Sequence, residues 1–350
     1  MKRILYVIDS EESAQFRYRV ENVKEVLKDS DKYKVSWVRK EKIFDVDFNR
    51  VDLMIILRQT AKSVSMLKFI RDFQVTGKKV LFDLDDLIFD YKDLPILMWS
   101  TKSRNIFYWL GYFFGVRRIA KRVDGFLCTN EFLGRKLKKS FNKPYKVIPN
   151  SLNKKQVEYS NELIKNKTEK DNFIIGYFSG SPTHAKDFEM IEQELIKFLN
   201  TYDDARLNVV GYMNFSDEMN KLIKQNKICF SKPVNYLKLQ ELMSEVDVNI
   251  APLVINDFTN CKSELKFFEA AAVETTTIAS PTYTFKKAIK DGENGFLAQP
   301  GEWYDKLEYL YKHPKENKKI AKAARQYALK HYYGKEFLKE VEKAYDFFAK

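Results

Sequence analysis

A chain of 350 residues, 45% of them apolar, is long and hydrophobic enough for about two globular domains, which excludes a disordered chain. Lys and Arg number 61 against 48 Asp and Glu, and the resulting charge of +13 points to an anionic partner or to a solvated lysine surface spread along the chain. Three scattered cysteines with no CxxC pair support neither a zinc site nor a disulfide framework, and no apolar run approaches the ~18 residues of a spanning helix.

In chain order, the first half alternates strands and helices. Arg3 to Ile8 reads as a first strand rather than as the core of a signal peptide. Gln15 to Leu27 has helical spacing, and Tyr33 to Val38 alternates as a strand does. Asp52 to Leu57 and Lys79 to Leu84 read as buried parallel strands, with a helix from Ser63 to Phe73 between them. A strand at Gly125–Thr129, a helix at Glu131–Lys139 and a strand-like run at Lys146–Ser151 complete the half. The polar segment Leu152–Lys170 has no strong period and is the linker candidate. A second alternation follows, with strands at Phe173–Phe178, Arg206–Gly211, Ile228–Phe230, Val246–Leu253, Thr276–Ser280 and Asn294–Ala298, and a helical tail from Trp303. Such alternation predicts parallel sheets with right-handed crossovers, and a cleft where the carboxyl ends of two sheets meet.

Five stretches carry chemistry. Asn260 to Ala272 lies between a strand and a helix and holds two lysines, Ser263 and carboxylates. A helix N-terminus with lysines suits a nucleotide diphosphate, and Glu269 could accept from ribose hydroxyls. Gly176 to Asp187 is a second such turn, in which Gly180 permits close backbone approach while Ser181, His184 and Lys186 contact a donor phosphate or sugar, or simply cap a helix. Asp83, Asp85 and Asp86 end a strand, and three carboxylates exceed what helix capping needs, which suggests work on an acceptor hydroxyl. Arg17 and Arg19 flank an aromatic residue after the first strand and either grip the acceptor or decorate the surface. Residues 94–118 mix a dense aromatic run with basic flanks, the composition of a membrane-interface segment as well as of a core helix.

The stretch Lys262-Ser263-x-Leu265-Lys266-x-x-Glu269-Ala270-Ala271-Ala272, with its lead-in from Val246, resembles the donor signature of family-4 glycosyltransferases, retaining enzymes of the GT-B fold. Asp291-Gly292-x-Asn294-Gly295 and Val147-Ile148-Pro149-Asn150-Ser151 resemble further segments of that family. The match is dense in the second half and thin in the first. The family's first glutamate, eight residues before the second, is Cys261 here.

The resemblance implies an α/β protein of GT-B type, two Rossmann-like domains with parallel sheets facing across a cleft. Residues 1–151 would bind the acceptor, 152–330 the nucleotide sugar, and a helix in 331–350 would cross back to the first domain. It implies transfer of a sugar from a nucleotide-sugar donor to a glycan or lipid-linked acceptor, with retention, in bacterial surface polysaccharide or glycoconjugate synthesis. No cofactor or metal is expected, and no nucleic acid. Asp85, Asp86, Lys262 and Glu264 would do the chemistry, and Gly180, Ser181, His184, Lys186, Lys262, Ser263 and Glu269 would bind the donor. Arg17, Arg19 and Asp83 would hold the acceptor. The expected location is the cytoplasm, with peripheral contact at the inner face of the cell membrane through 94–118. A catalytically silent partner subunit of an active transferase is the alternative that Cys261 leaves open.

Overall fold

The computed structural model describes residues 1–60, 64–100, 105–168, 170–180 and 185–349. Ser181 and His184 lie outside the described residues. Twelve strands run parallel in two six-stranded sheets among those residues.

In the first domain, β1 (Lys2–Ile8), β2 (Tyr33–Arg39), β3 (Leu53–Leu57), β4 (Lys79–Leu84), β5 (Gly125–Cys128) and β6 (Tyr145–Val147) lie in the order β2-β1-β3-β4-β5-β6. Their helices are α1 (14–26), α2 (Val64–Val75), α3 (Leu94–Ser100), α4 (Ile106–Arg122) and α5 (Glu131–Phe141). The central strands are buried end to end, which explains their continuous apolar runs: β3 reads LMIIL with no exposed residue. Within α1, a π-helical turn at Arg17–Glu21 re-aims the side chains of Arg17, Tyr18 and Arg19.

The segment Leu152–Lys170 is not a plain linker. It contains α6 (Lys154–Lys165), started by Asn153 in a capping box with Gln156. Its exposed faces are polar, and the buried positions Gln156, Val157 and Ser160 include only one apolar side chain, so periodicity gives no signal there.

The second domain contains β7 (Phe173–Ser179), β8 (Ala205–Gly211), β9 (Ile228–Ser231), β10 (Val248–Ala251), β11 (Thr276–Ala279) and β12 (Phe296–Leu297), in the order β12-β11-β10-β7-β8-β9. Its helices are α7 (Ala185–Glu189), α8 (Glu192–Thr201), α9 (Asp217–Lys224), α10 (Tyr236–Ser244), α11 (Asp257–Asn260), α12 (Leu265–Ala272), α13 (Tyr283–Ala288), α14 (Trp303–Lys312) and α15 (Pro314–His331). Gly211 (φ 121°) ends β8 where a Cβ would come within 1.8 Å of the Ser179 carbonyl oxygen, so the turn after β7 requires a glycine beside it.

The last helix, α16 (Gly334–Phe348), leaves the second domain and covers one face of the first sheet with Phe337, Val341, Tyr345 and Phe348. The Tyr345 hydroxyl meets that of Tyr6 on β1 at 2.8 Å. The chain therefore crosses between the domains twice, and the two crossings are tied together where Leu152 donates from its backbone to the Tyr332 carbonyl at 2.9 Å.

Each sheet reverses its strand order once, between β1 and β3 in the first and between β7 and β10 in the second. Loops at such switch points diverge and leave a crevice, which is where open α/β sheets bind ligands.

Candidate functional site

The two crevices face each other and enclose a cavity of about 200 Å³. Gln15, Tyr18, Asp85 and Asp86 line it from the first domain, and Lys262, Ser263, Lys266 and Phe285 from the second.

On the second-domain wall the turn after α11 delivers Lys262 and Ser263 to the cavity, and α12 begins immediately behind them. Glu264, the residue before α12, provides no side-chain cap, so the first backbone N–H groups of α12 receive nothing from it. Lys266 sits in the first turn. Its side chain as a whole is only half-buried, but its ammonium nitrogen is out of solvent, has no hydrogen-bond partner among the described residues, and lies 4.9 Å from the Tyr177 ring centroid. Burial, helped by the charge of Lys262, pushes its pKa down to about 8, against the pull of Asp187. An ammonium held out of water with no directly bonded counter-ion among the described residues is costly, and an anion in the adjoining cavity would complete it. Lys266 was legible as one of the two lysines of the signature, but nothing in the sequence distinguished it from Lys262. Lys262 is half-buried, with its ammonium 4.7 Å from the Phe258 ring.

Glu269 lies one turn further along α12 and is buried. Its carboxylate accepts from the Tyr18 hydroxyl and from Gln156 Nε2 at 3.5 Å, and the Arg17 guanidinium stands 3.5 Å away. Arg17 also lies over the Tyr18 and Tyr236 rings at 4.1 and 4.4 Å. The structure thus directs Arg17 across the domain boundary to the donor-side glutamate, rather than to an acceptor on its own side of the cleft. Burial works against the charge on Arg17, and Tyr18 with Glu269 outweighs it.

Arg19 and Asp83 were expected at the acceptor; the structure pairs them with each other, and of the two only Arg19 borders the cavity. Arg19 Nε and Nη2 reach the Asp83 carboxylate at 2.9–3.1 Å, with both side chains essentially inaccessible to solvent. A third Arg19 nitrogen donates to the Ile148 carbonyl. This bidentate pair fastens α1 to β4 and to the interdomain strand, and leaves Asp83 off the cavity wall. The end of the strand explains the split: Asp83 lies within β4, which is buried on both faces, whereas Asp85 and Asp86 follow its last residue, Leu84.

Asp85 and Asp86 do line the cavity, and both bind one cation that the sequence did not announce. Arg58 Nη1 stands 3.0 Å from Asp85 and 2.7 Å from Asp86. Arg58 follows β3 with φ 32°, the left-handed region that a non-glycine residue seldom adopts. That strained turn aims the guanidinium at the two carboxylates. Burial pushes the Asp85 carboxyl up, Arg58 pulls it back, and Asp86 adds repulsion. Among the described residues no group of three His, Cys, Asp or Glu side chains could hold a metal ion.

Glu264, expected to act in catalysis, points away from the cavity. It is buried against the junction of α15 and α16 and accepts from the Tyr332 hydroxyl at 2.6 Å. Burial raises its carboxyl pKa, and the Tyr332 hydrogen bond opposes this. The helix start turns Lys262 and Ser263 to the cleft and Glu264 to the back. Gly180 ends β7 as an exposed residue with open space beside it. Lys186 reaches across to the first domain and sits 3.8 Å from the ring centroid of Trp99. Cys261 is fully buried among first-domain core residues, and its carbonyl accepts from Asn130 Nδ2 at 2.7 Å. Burial holds its thiol protonated, and Asp86, Asp93 and Asp257 add to that effect.

Residues 189–342 match a family model described as glycosyl transferase-like. Solved structures align over nearly the whole chain. HepE of Anabaena, determined in complex with UDP, is 14% identical with a TM-score of 0.63, covering 99% of this chain and 100% of its own. A glycosyltransferase from Rickettsia africae is 17% identical with a TM-score of 0.67, over 100% of this chain and 99% of its own. The chain has the GT-B fold. A sucrose-phosphate synthase from Thermosynechococcus elongatus shares the fold at 14% identity and a TM-score of 0.65, over 99% of this chain and 98% of its own. No curated protein matches the chain in sequence. Within this GT-B architecture the site joins a cationic wall, a buried glutamate bridged to the opposite domain, and a carboxylate pair held by an arginine. That arrangement can bind an anion on one side and orient a hydroxyl on the other.

Proposed function

We propose that this protein transfers a sugar from a nucleotide-sugar donor to a glycan or lipid-linked acceptor, with retention, in the synthesis of a bacterial surface polysaccharide or glycoconjugate. The observation that carries this reading is Lys266, an ammonium withdrawn from solvent and without a hydrogen-bond partner among the described residues, at the edge of the interdomain cavity. With Lys262 and the N–H groups of α12 it would neutralise the diphosphate as the bond to the sugar breaks. Glu269 would take the ribose hydroxyls, and the loop that includes Gly180, Ser181, His184 and Lys186 would close on the donor from the other side. Asp85 and Asp86 would orient the acceptor hydroxyl and receive its proton as the new bond to the sugar forms. The family match to the second domain and the GT-B neighbours support the same class. The reaction would take place in the cytoplasm at the inner face of the cell membrane.

Calorimetry with UDP, GDP, dTDP and ADP tests the donor site. One of them should bind at micromolar concentration, and Lys266→Met and Glu269→Ala should each abolish the binding. No binding of any nucleotide would remove the transferase reading. Cys261 favours a second reading: with its side chain among the first domain's core residues, the chain could be a silent partner of an active transferase. In that case Asp85→Asn/Asp86→Asn would leave glycan output of the cell unchanged.

A further inference from the structure

The helix α4 turns one face to solvent. Positions 107, 110, 111, 114, 118, 121 and 122 share that face at helical spacing, while Phe113, Val116, Ile119 and Ala120 pack inward. The outer face is divided along its length. Its first half presents Phe107, 84% exposed, Phe114, 58% exposed, and Leu110. Its second half carries Arg118, Lys121 and Arg122, with the Arg118 guanidinium 5.7 Å from the Phe114 ring centroid. Ile106 and Tyr108 widen the apolar end, and Trp99 extends it from α3.

Soluble surfaces rarely expose several large apolar side chains side by side. Phe107, Leu110 and Phe114 have no hydrogen-bonding group, so they suit hydrocarbon better than a sugar or a polar protein surface. The adjoining cations suit anionic headgroups, which attract each surface lysine or arginine by about 1 kcal/mol. The helix is too short to span a bilayer, and among the described residues no helix is long and apolar enough to do so.

We propose that the outer face of α4 docks the protein on an anionic bilayer, with Phe107, Leu110 and Phe114 inserted among the acyl chains and Lys121 and Arg122 on the headgroups. The inner side of the same helix leads towards the cleft, because Phe113 and Val116 share a core with Phe82 and Leu84 of β4, the strand that Asp85 and Asp86 follow. Lys186, at the mouth of the second domain, sits on Trp99 beside the docking face. Docking in this orientation brings the acceptor carboxylates to the membrane surface and selects a lipid-linked acceptor over a free glycan. This last step rests on the transferase reading, whereas the docking rests on the surface alone.

Vesicle flotation of the full chain tests the docking. The native protein should float with phosphatidylcholine vesicles containing phosphatidylglycerol and much less with phosphatidylcholine alone. Phe107→Ser/Phe114→Ser should weaken partitioning roughly tenfold or more, since two exposed rings lose their insertion. Lys121→Glu/Arg122→Glu should abolish the preference for phosphatidylglycerol. Failure of the native chain to float at low salt would overturn the proposal, as would equal flotation of the double serine variant. A lipid-free dimer that the serine variant dissociates would assign the face to a second copy instead. Nucleotide calorimetry on the same preparations separates the two readings. A chain that floats but binds no nucleotide keeps the docking and loses the transferase, and one that binds nucleotide but stays in solution loses only the docking.

Discussion

Replacing Lys266 by Met tests the donor wall most sharply, because it should strengthen the fold while destroying function. The ordinary lysine pKa of 10.5 falls to about 8 at this position. That fall corresponds to at most about 3 kcal/mol of penalty for keeping the group charged in the folded protein. A base with a depressed folded pKa binds fewer protons when folded. The penalty is therefore fully present below pH 8 and disappears as pH rises from about 8 towards 10.5. Methionine has a similar shape and no charge, so Lys266→Met should raise stability at pH 7 by up to about 3 kcal/mol, read as several degrees in Tm at roughly 2–4 °C per kcal/mol. The rise in native stability between pH 8 and 10 should be missing from the variant. Nucleotide binding should respond in the opposite sense. A bound diphosphate restores the ammonium, so affinity of the native chain should fall as pH climbs through about 8, with proton uptake on binding visible by calorimetry in buffers of different ionisation enthalpy. A Lys266→Met variant less stable than the native protein, or one that binds nucleotide normally, would refute this account of the site.

Three further outcomes can be checked by denaturation and binding. Glu264→Gln should leave nucleotide affinity within about twofold by calorimetry, since Glu264 faces Tyr332 and not the cavity. Its stability should change by about 1 kcal/mol, the scale of one hydrogen bond. Cys261→Glu, which recreates the spacing of the family's glutamate pair, should destabilise by about 3 kcal/mol or more in urea titration. It buries a carboxylate near Asp86, Asp93 and Asp257. Asp83→Ala should cost about 3–5 kcal/mol by the same titration, because it strands Arg19 in the interior, and Asp83→Ala/Arg19→Met should recover most of the loss.

The architecture was largely legible because buried parallel strands write themselves as apolar runs. All twelve predicted strands occur, and the two parallel sheets follow from their alternation with helices, while the GT-B arrangement was implied by the resemblance of the second half. The linker helix α6 was hidden because its buried face includes Gln156 and Ser160, which carry no apolar period. The site was less readable. Lys262, Ser263, Asp85 and Asp86 reach the cavity, whereas Glu264 and Asp83 point elsewhere, and neighbours in sequence at a helix start or strand end differ only in direction. Arg58 gave no signal, since its role depends on an unusual backbone turn and on carboxylates 27 and 28 residues away. Tyr18 and Arg17 meet Glu269 across about 250 residues of chain, a contact that only the closed arrangement of two domains creates.

The placement of α16 has a consequence for how the protein is born. One face of the first sheet is closed by Phe337, Val341, Tyr345 and Phe348, which are made after the second domain. Domains that fold as they are made usually complete the N-terminal unit first. Here the first domain waits with β1, including Tyr6, uncovered until the second domain has been made. The first strand of the first sheet is thus sealed only after the second domain has been made. A nascent chain stalled short of residue 334 would present that apolar face to chaperones or to its neighbours.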